Sequence, residues 1–193
     1  MARPVDEKNR EKMQESIMET AREVFCEKGY SAVTMSDLIE AAGMSRGGFY
    51  FYYKSVDEVF REAVRHRKKS LFAELRRSIE HGPDFHELLD DYFSKQKMRL
   101  LNMGGSMLRA LYEYLFTQDD AEFRNEQKNN IMDTVNAILQ LGVRQGAIRH
   151  EHIDLIAEHF MYTIEGLNVM AMFQGLAEET IDQQFDILKN MLT

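Results

Sequence analysis

Ser45, Arg46, Gly47, Gly48, Tyr50, Phe51, Tyr52 and Lys54 fall in one short stretch, SRGGFYFYYKS. They bring together a guanidinium, an ammonium, phenolic hydroxyls and two positions without side chains. An arginine in the first turn of a helix can pair bidentately with guanine. Tyrosine hydroxyls can donate to phosphate oxygens, contacts that fix position without reading sequence. Glycine lets a backbone come close to a partner, and Phe51 can touch a thymine methyl. This is the chemistry of a surface that meets a DNA groove, provided the stretch is helical. Five consecutive aromatics, Phe49 to Tyr53, would by propensity alone make a strand.

Helical phase resolves the run. Residues four apart share a face. Phe49 and Tyr53 form an inward pair, expected against Leu38, Ile39 and the first helix. Gly47 falls in line with Phe51, and Gly48 with Tyr52. Arg46, Tyr50 and Lys54 make a third line. Core packing is the plainer reading for Phe49 and Tyr53, and phosphate contact the better one for Tyr50 and Tyr52.

The flanking residues supply the frame. An amphipathic helix over 7–28 carries Met13, Ile17, Ala21, Val24 and Phe25 on one face, and Gly29 reads as its left-handed cap. Thr34 with Asp37 makes a capping box for a short helix whose buried stripe is Met35, Leu38, Ile39 and Ala42. Gly43 ends it and Ser45 caps the next. Two short helices across a tight glycine turn form a helix-turn-helix. Ser55 and Glu58 make another capping box, opening a long helix to about residue 80. Five more helices are expected near 84–101, 105–117, 119–144, 151–174 and 178–192.

Composition agrees with an all-α chain. Of 193 residues only two are proline, and the apolar periods are helical throughout. The single cysteine, Cys26, excludes an internal disulfide and fits a reducing compartment as a small packed filler. The charged N-terminus lacks the pattern of a secretory signal. No apolar run reaches the ~18 residues of a membrane span. A cytoplasmic protein is expected. The net charge of −8 hides an asymmetry. Residues 1–69 carry 13 Lys and Arg against 12 Asp and Glu, net +1; residues 70–193 carry 11 against 20, net −9. Only the first part could approach a polyanion.

Phe25, Gly29, Tyr30, Thr34, Ala42-Gly43, Ser45, Gly47, Tyr50, Tyr52, Ser55 and Glu58 together resemble the N-terminal domain of tetracycline-repressor (TetR/AcrR) family transcriptional regulators. The family pattern F…KGY…T, then AAG-VS-KGT-LY-HYF-SKEEL, meets AAG-MS-RGG-FY-FYYKS-VDEV here. The segment Ile164-Glu165-Gly166-Leu167 is similar to the family's penultimate helix. The resemblance implies a nine-helix protein, with a helix-turn-helix DNA-binding domain at 1–55 and an effector-binding and dimerisation domain at 56–193. Helices 1–3 would bind DNA, helices 5–7 would surround an effector, and helices 8 and 9 would form a four-helix dimer interface. It implies a repressor that a small molecule releases from a pseudo-palindromic operator. Arg46, Gly47 and Gly48 fall where the family reads bases. Tyr50, Tyr52 and Thr34 fall where it contacts phosphate. Val56 replaces a customary lysine, a role Lys54 could take. Gly48 replaces a threonine and Phe51 a histidine.

The remaining signals are weaker. Arg65, His66, Arg67, Lys68 and Lys69 lie ~15 Å or more beyond Ser55 along a helix and read as a solvated face. His150, His152 and His159, near Glu151, Asp154 and Glu158, lack the tight clustering of a metal site. No nucleophile elbow, phosphate-cradling loop or Cys/His set is present, so neither an enzyme nor a cofactor is expected. The middle of the chain is rich in methionine and tyrosine. Core packing explains this, and an adaptable pocket for an apolar or aromatic effector explains it too. Met103, Met107, Tyr112, Tyr162 and Glu165 are the candidate ligand contacts, with Arg99 and Arg109 as possible partners of an acidic group. Residues 160–173, FMYTIEGLNVMAMF, are apolar on nearly every side and predict a helix buried all round, most simply in a homodimer with the final helix. The rival reading is a helical ligand-binding module or activator that keeps the head but has altered or no operator binding.

Overall fold

The computed structural model describes residues 4–149 and 151–192. Among them are nine α-helices: α1 Pro4–Lys28, α2 Met35–Ala41, α3 Arg46–Tyr52, α4 Val56–Glu80, α5 Phe85–Leu101, α6 Met107–Thr117, α7 Ala121–Arg144, α8 Ile153–Gln174 and α9 Glu178–Asn190. A single 3-10 turn, Met103–Gly105, precedes α6. The described residues hold no strand. The expected helices are all present, with ends shifted by a few residues.

The chain forms two compact units. The first comprises residues 1–70 and 105–119, the second 71–104 and 120–193. The first unit thus extends beyond residue 55 and takes in α6.

Four rings hold the first unit together. Phe25 of α1 meets Phe60 of α4 edge-on at 4.9 Å. Tyr30, just past α1, lies 5.0 Å from Phe60 and 4.9 Å from Tyr114 of α6. Phe60 and Tyr114 stack at 5.0 Å. All four are buried. Such pairs add about 0.5–1.5 kcal/mol each beyond the apolar area they bury. The Tyr30 hydroxyl donates to Asp57 Oδ1 at 2.6 Å, so its polar end is satisfied at the start of α4. Burial and that bond both push the phenol well above its usual range.

In the second unit Phe93 of α5 stacks on Phe185 of α9 at 4.6 Å and tilts against Phe160 of α8 at 5.8 Å. At the foot of α5, Gln145 closes the corner. Its Oε1 accepts from the Phe85 N–H at 2.9 Å and its Nε2 donates to the Pro83 carbonyl at 2.8 Å. Lys97 reaches Asp182 at 2.7 Å and Glu178 at 2.8 Å, tying α9 to α5.

Within the single chain α8 leaves one apolar line uncovered, with Tyr162 62% and Phe173 72% exposed. One expectation needs correction: the capping box expected at α4 is only half made. Ser55 Oγ accepts from the Glu58 N–H at 3.1 Å, but the Glu58 carboxylate takes the N–H of Lys54 at 2.6 Å instead of that of Ser55.

Candidate nucleic-acid interface

Local capping chemistry builds the two short helices. Thr34 Oγ1 accepts from the Asp37 N–H at 3.2 Å, and Asp37 Oδ2 accepts from the Thr34 N–H at 2.8 Å. The Thr34 hydroxyl also donates to Asp37 Oδ2 at 2.8 Å. Lys28 Nζ bonds Asp37 Oδ1 at 2.7 Å, fastening the end of α1 to the start of α2. The Lys28 bond, with those from Thr34, pulls the Asp37 carboxyl down to about 2. Gly43 closes α2 in the left-handed region, at φ +61. Ser45 Oγ then accepts from the Gly48 N–H at 3.2 Å and starts α3.

Helix α3 divides as its phase requires. Phe49 and Tyr53 are buried. Phe51 points the other way and is 65% exposed. Gly47, one turn earlier on that line, has open space where a Cβ would be. Gly48 is tighter: a Cβ there would lie 3.1 Å from Ser45 Oγ and press on the cap. Arg46 is exposed and Tyr50 and Tyr52 half-buried on the flanks. Lys54 Nζ bonds the Tyr50 carbonyl, so this ammonium also closes the C-terminal end of α3. The outer surface of α3 therefore presents Arg46, a bare backbone at Gly47 and the Phe51 ring.

Residues 17–63 match the model for bacterial regulatory proteins of the tetR family. An uncharacterized HTH-type transcriptional regulator of Bacillus subtilis, YfiR, is 26% identical over 191 residues, spanning 92% of this chain and 93% of the relative. A TetR-family regulator from Agrobacterium tumefaciens superposes with a TM-score of 0.71 at 17% identity, covering 95% of this chain and 98% of that one.

Residues 17–63 thus match the N-terminal domain of the tetR family, and the chain shares the fold of TetR-family regulators. Reduced NemR of E. coli shares the fold at a TM-score of 0.76 and 14% identity, over 94% of this chain and 98% of that one. In this chain burial raises the pKa of the Cys26 thiol, which leaves little thiolate for redox chemistry.

The other candidate residues are spread through the fold. Met107 (half-buried) and Tyr112 (buried) belong to α6 in the first unit. Met103, Tyr162 and Glu165 belong to the second, where Met103 is buried, Glu165 half-buried and Tyr162 outward. The apolar cleft of Leu89, Tyr92, Val135, Ile138, Leu139 and Phe160 is closed to water. The sequence reading missed the buried polar side chains of this unit. Gln96, Gln127 and Asn168, the buried polar side chains among the described residues, come one each from α5, α7 and α8. Both polar atoms of the Gln127 amide are buried without a partner. A polar residue on an apolar helix face reads as a break in the pattern, so the sequence does not mark it as buried.

No group of three metal-ligating side chains occurs among the described residues, and His150 lies outside them. In the basic run of α4, Arg65 pairs with Glu62 at 2.8 Å. No described helix is long and apolar enough to cross a membrane.

Proposed function

We propose that this regulator is a cytoplasmic homodimeric repressor that binds a pseudo-palindromic operator through α3 and is released by a small molecule. The outer face of α3 carries the reading. It brings a cation, a bare backbone and an exposed ring together on a capped helix. Arg46, Gly47, Gly48 and Phe51 would meet base edges, and Thr34, Ser45, Tyr50, Tyr52 and Lys54 the sugar-phosphate backbone. Residues 1–55 would be the DNA-binding part and 56–193 the effector-binding and dimerisation part. Two copies would place their α3 helices in successive major grooves ~34–36 Å apart.

The uncovered apolar lines of α8 and α9 support the dimer. Leu155, Tyr162 and Phe173 recur at helical spacing on one side of α8, with Ile187 of α9 and Met191 just past its end also exposed. The effector would have an apolar or aromatic body, with Met103, Met107, Tyr112, Tyr162 and Glu165 as its candidate contacts. The Gln127 amide, which lacks a partner, favours a head group that both donates and accepts.

Selection from a random-sequence duplex library, followed by footprinting, tests the operator. A protected palindrome is expected. Arg46→Ala should relax the preference at one position, and Tyr50→Phe should weaken all sequences alike. Failure to retard any duplex at low salt would instead favour a ligand-binding module that has lost operator binding.

A further inference from the structure

Phe51 is the most exposed aromatic of α3, and it is not alone. The guanidinium of Arg10, near the start of α1, lies over its ring with Cζ 5.6 Å from the centroid. Tyr52 packs against the same ring edge-on at 5.3 Å. Among the described residues no carboxylate pairs with Arg10. Gln14, one turn along α1, neighbours the Tyr53 side chain. The stack therefore brings Arg10 of α1 onto the exposed ring of α3, away from the buried Phe49 and Tyr53.

We propose that Arg10 is a phosphate-contacting residue of the DNA interface, held in place by the Phe51 ring. This rests on the operator-binding reading and adds a residue outside the helix-turn-helix to it. A ring under a guanidinium uses the face of the cation and leaves its edge N–H groups free to donate. Those edges suit phosphate oxygens, which arginine can hold through two parallel bonds. The stack also fixes a side chain that would otherwise lose much rotamer freedom on binding. It further explains an aromatic at position 51. The head has a net charge of only +1 over residues 1–69, so a cation placed on the interface matters more than a distant one.

The test uses the full-length protein and the duplex that the wild type selects from a random library. Affinity is measured by fluorescence anisotropy across a salt series for wild type, Arg10→Ala, Arg10→Lys, Phe51→Leu and the double variant Arg10→Ala with Phe51→Leu. Arg10→Ala should weaken binding roughly tenfold and lower the salt slope by about 2 per dimer, one phosphate per subunit at ~0.9 each. The selected consensus should not change. Arg10→Lys should keep most of the salt slope. In the Phe51→Leu background the loss of Arg10 should cost much less, because its platform is gone. Unchanged affinity and slope in Arg10→Ala, with a selected duplex in hand, would overturn the proposal alone. A changed consensus in Arg10→Ala would overturn the phosphate assignment. If the wild type selects no sequence, the operator-binding reading falls and this proposal with it. Circular dichroism confirms that each variant folds.

Discussion

The Glu113 carboxylate of α6 accepts a hydrogen bond from the backbone N–H of Ser31 at 3.0 Å. It thereby fills the turn between α1 and α2 from a position 82 residues away in sequence. One turn earlier on α6, Arg109 Nη2 donates to the Glu27 carbonyl at 3.0 Å. Helix α6 thus grips the C-terminal end of α1 on its carbonyl side and the following turn on its amide side. Glycine at position 29 makes room for this. Gly29 has φ +78, and a Cβ there would sit 2.6 Å from both Glu113 carboxylate oxygens.

Glu113→Ala should destabilise the protein by about 1–2 kcal/mol, the cost of an amide losing a charged acceptor at a partly exposed site. Gly29→Ala should cost about as much or more, since it strains the left-handed backbone and pushes the carboxylate off Ser31. The two losses overlap. In denaturant titrations Gly29→Ala should cost less in the Glu113→Ala background than in the wild type. Strictly additive losses would show that the carboxylate and the glycine are independent.

The Asp37 cap should make the head acid-sensitive. Hydrogen bonds from Lys28 first, then from Thr34, hold its carboxyl at about 2, below the ordinary 3.8. A carboxyl lowered on folding contributes its full stability above the unfolded value and loses it as pH falls through the folded one. The contribution should therefore be intact above pH 4 and fade between about pH 4 and 2. Unfolding curves of wild type and Asp37→Asn should converge across that window. Parallel curves there would remove Asp37 as the cause.

Gln127 should be a site where stability can be gained. Both polar atoms of its side chain are buried without a partner, and the residue is 4% exposed. An unmet amide costs about 1–3 kcal/mol. Gln127→Leu, close in volume, should recover part of that, raising the thermal midpoint by about 2–4 °C per kcal/mol in a chain of this size. The same change should blunt release by an effector that uses the amide. A lowered midpoint would mean that water or another group already satisfies Gln127.

The legible features of this chain were local ones. Thr34 with Asp37, Ser45 and Gly43 could be read because a cap depends on residues three or four apart. The split of the aromatic run into Phe49 and Tyr53 against Phe51 could be read because helical period is a property of spacing alone. Arg10 over Phe51 and Glu113 on Ser31 could not be read. They depend on how α1 and α6 lie against the head, and neither residue differs in type from the solvated charges around it. Gln96, Gln127 and Asn168 were hidden for a related reason. A polar residue on an otherwise apolar helix face looks like a break in the pattern until three such breaks prove to be buried.

The uncovered stripe on α8 gives the sharpest assembly prediction. Leu155, Tyr162 and Phe173 are more than half exposed and share one line of the helix. Gly166 lies on the same line with open space at its Cβ position, which would let a partner helix come close. A two-fold interface uses each residue twice, so Phe173→Glu would place two carboxylates in an apolar seam. Burying an unpaired charge costs several kcal/mol, and each 1.4 kcal/mol is tenfold in affinity. Sedimentation equilibrium should show a wild-type dimer and, for Phe173→Glu, association weakened about a hundredfold or more, giving monomer. The monomer should bind a single operator half-site poorly, while keeping its helical content. A Phe173→Glu protein that stays dimeric would place the interface on another face.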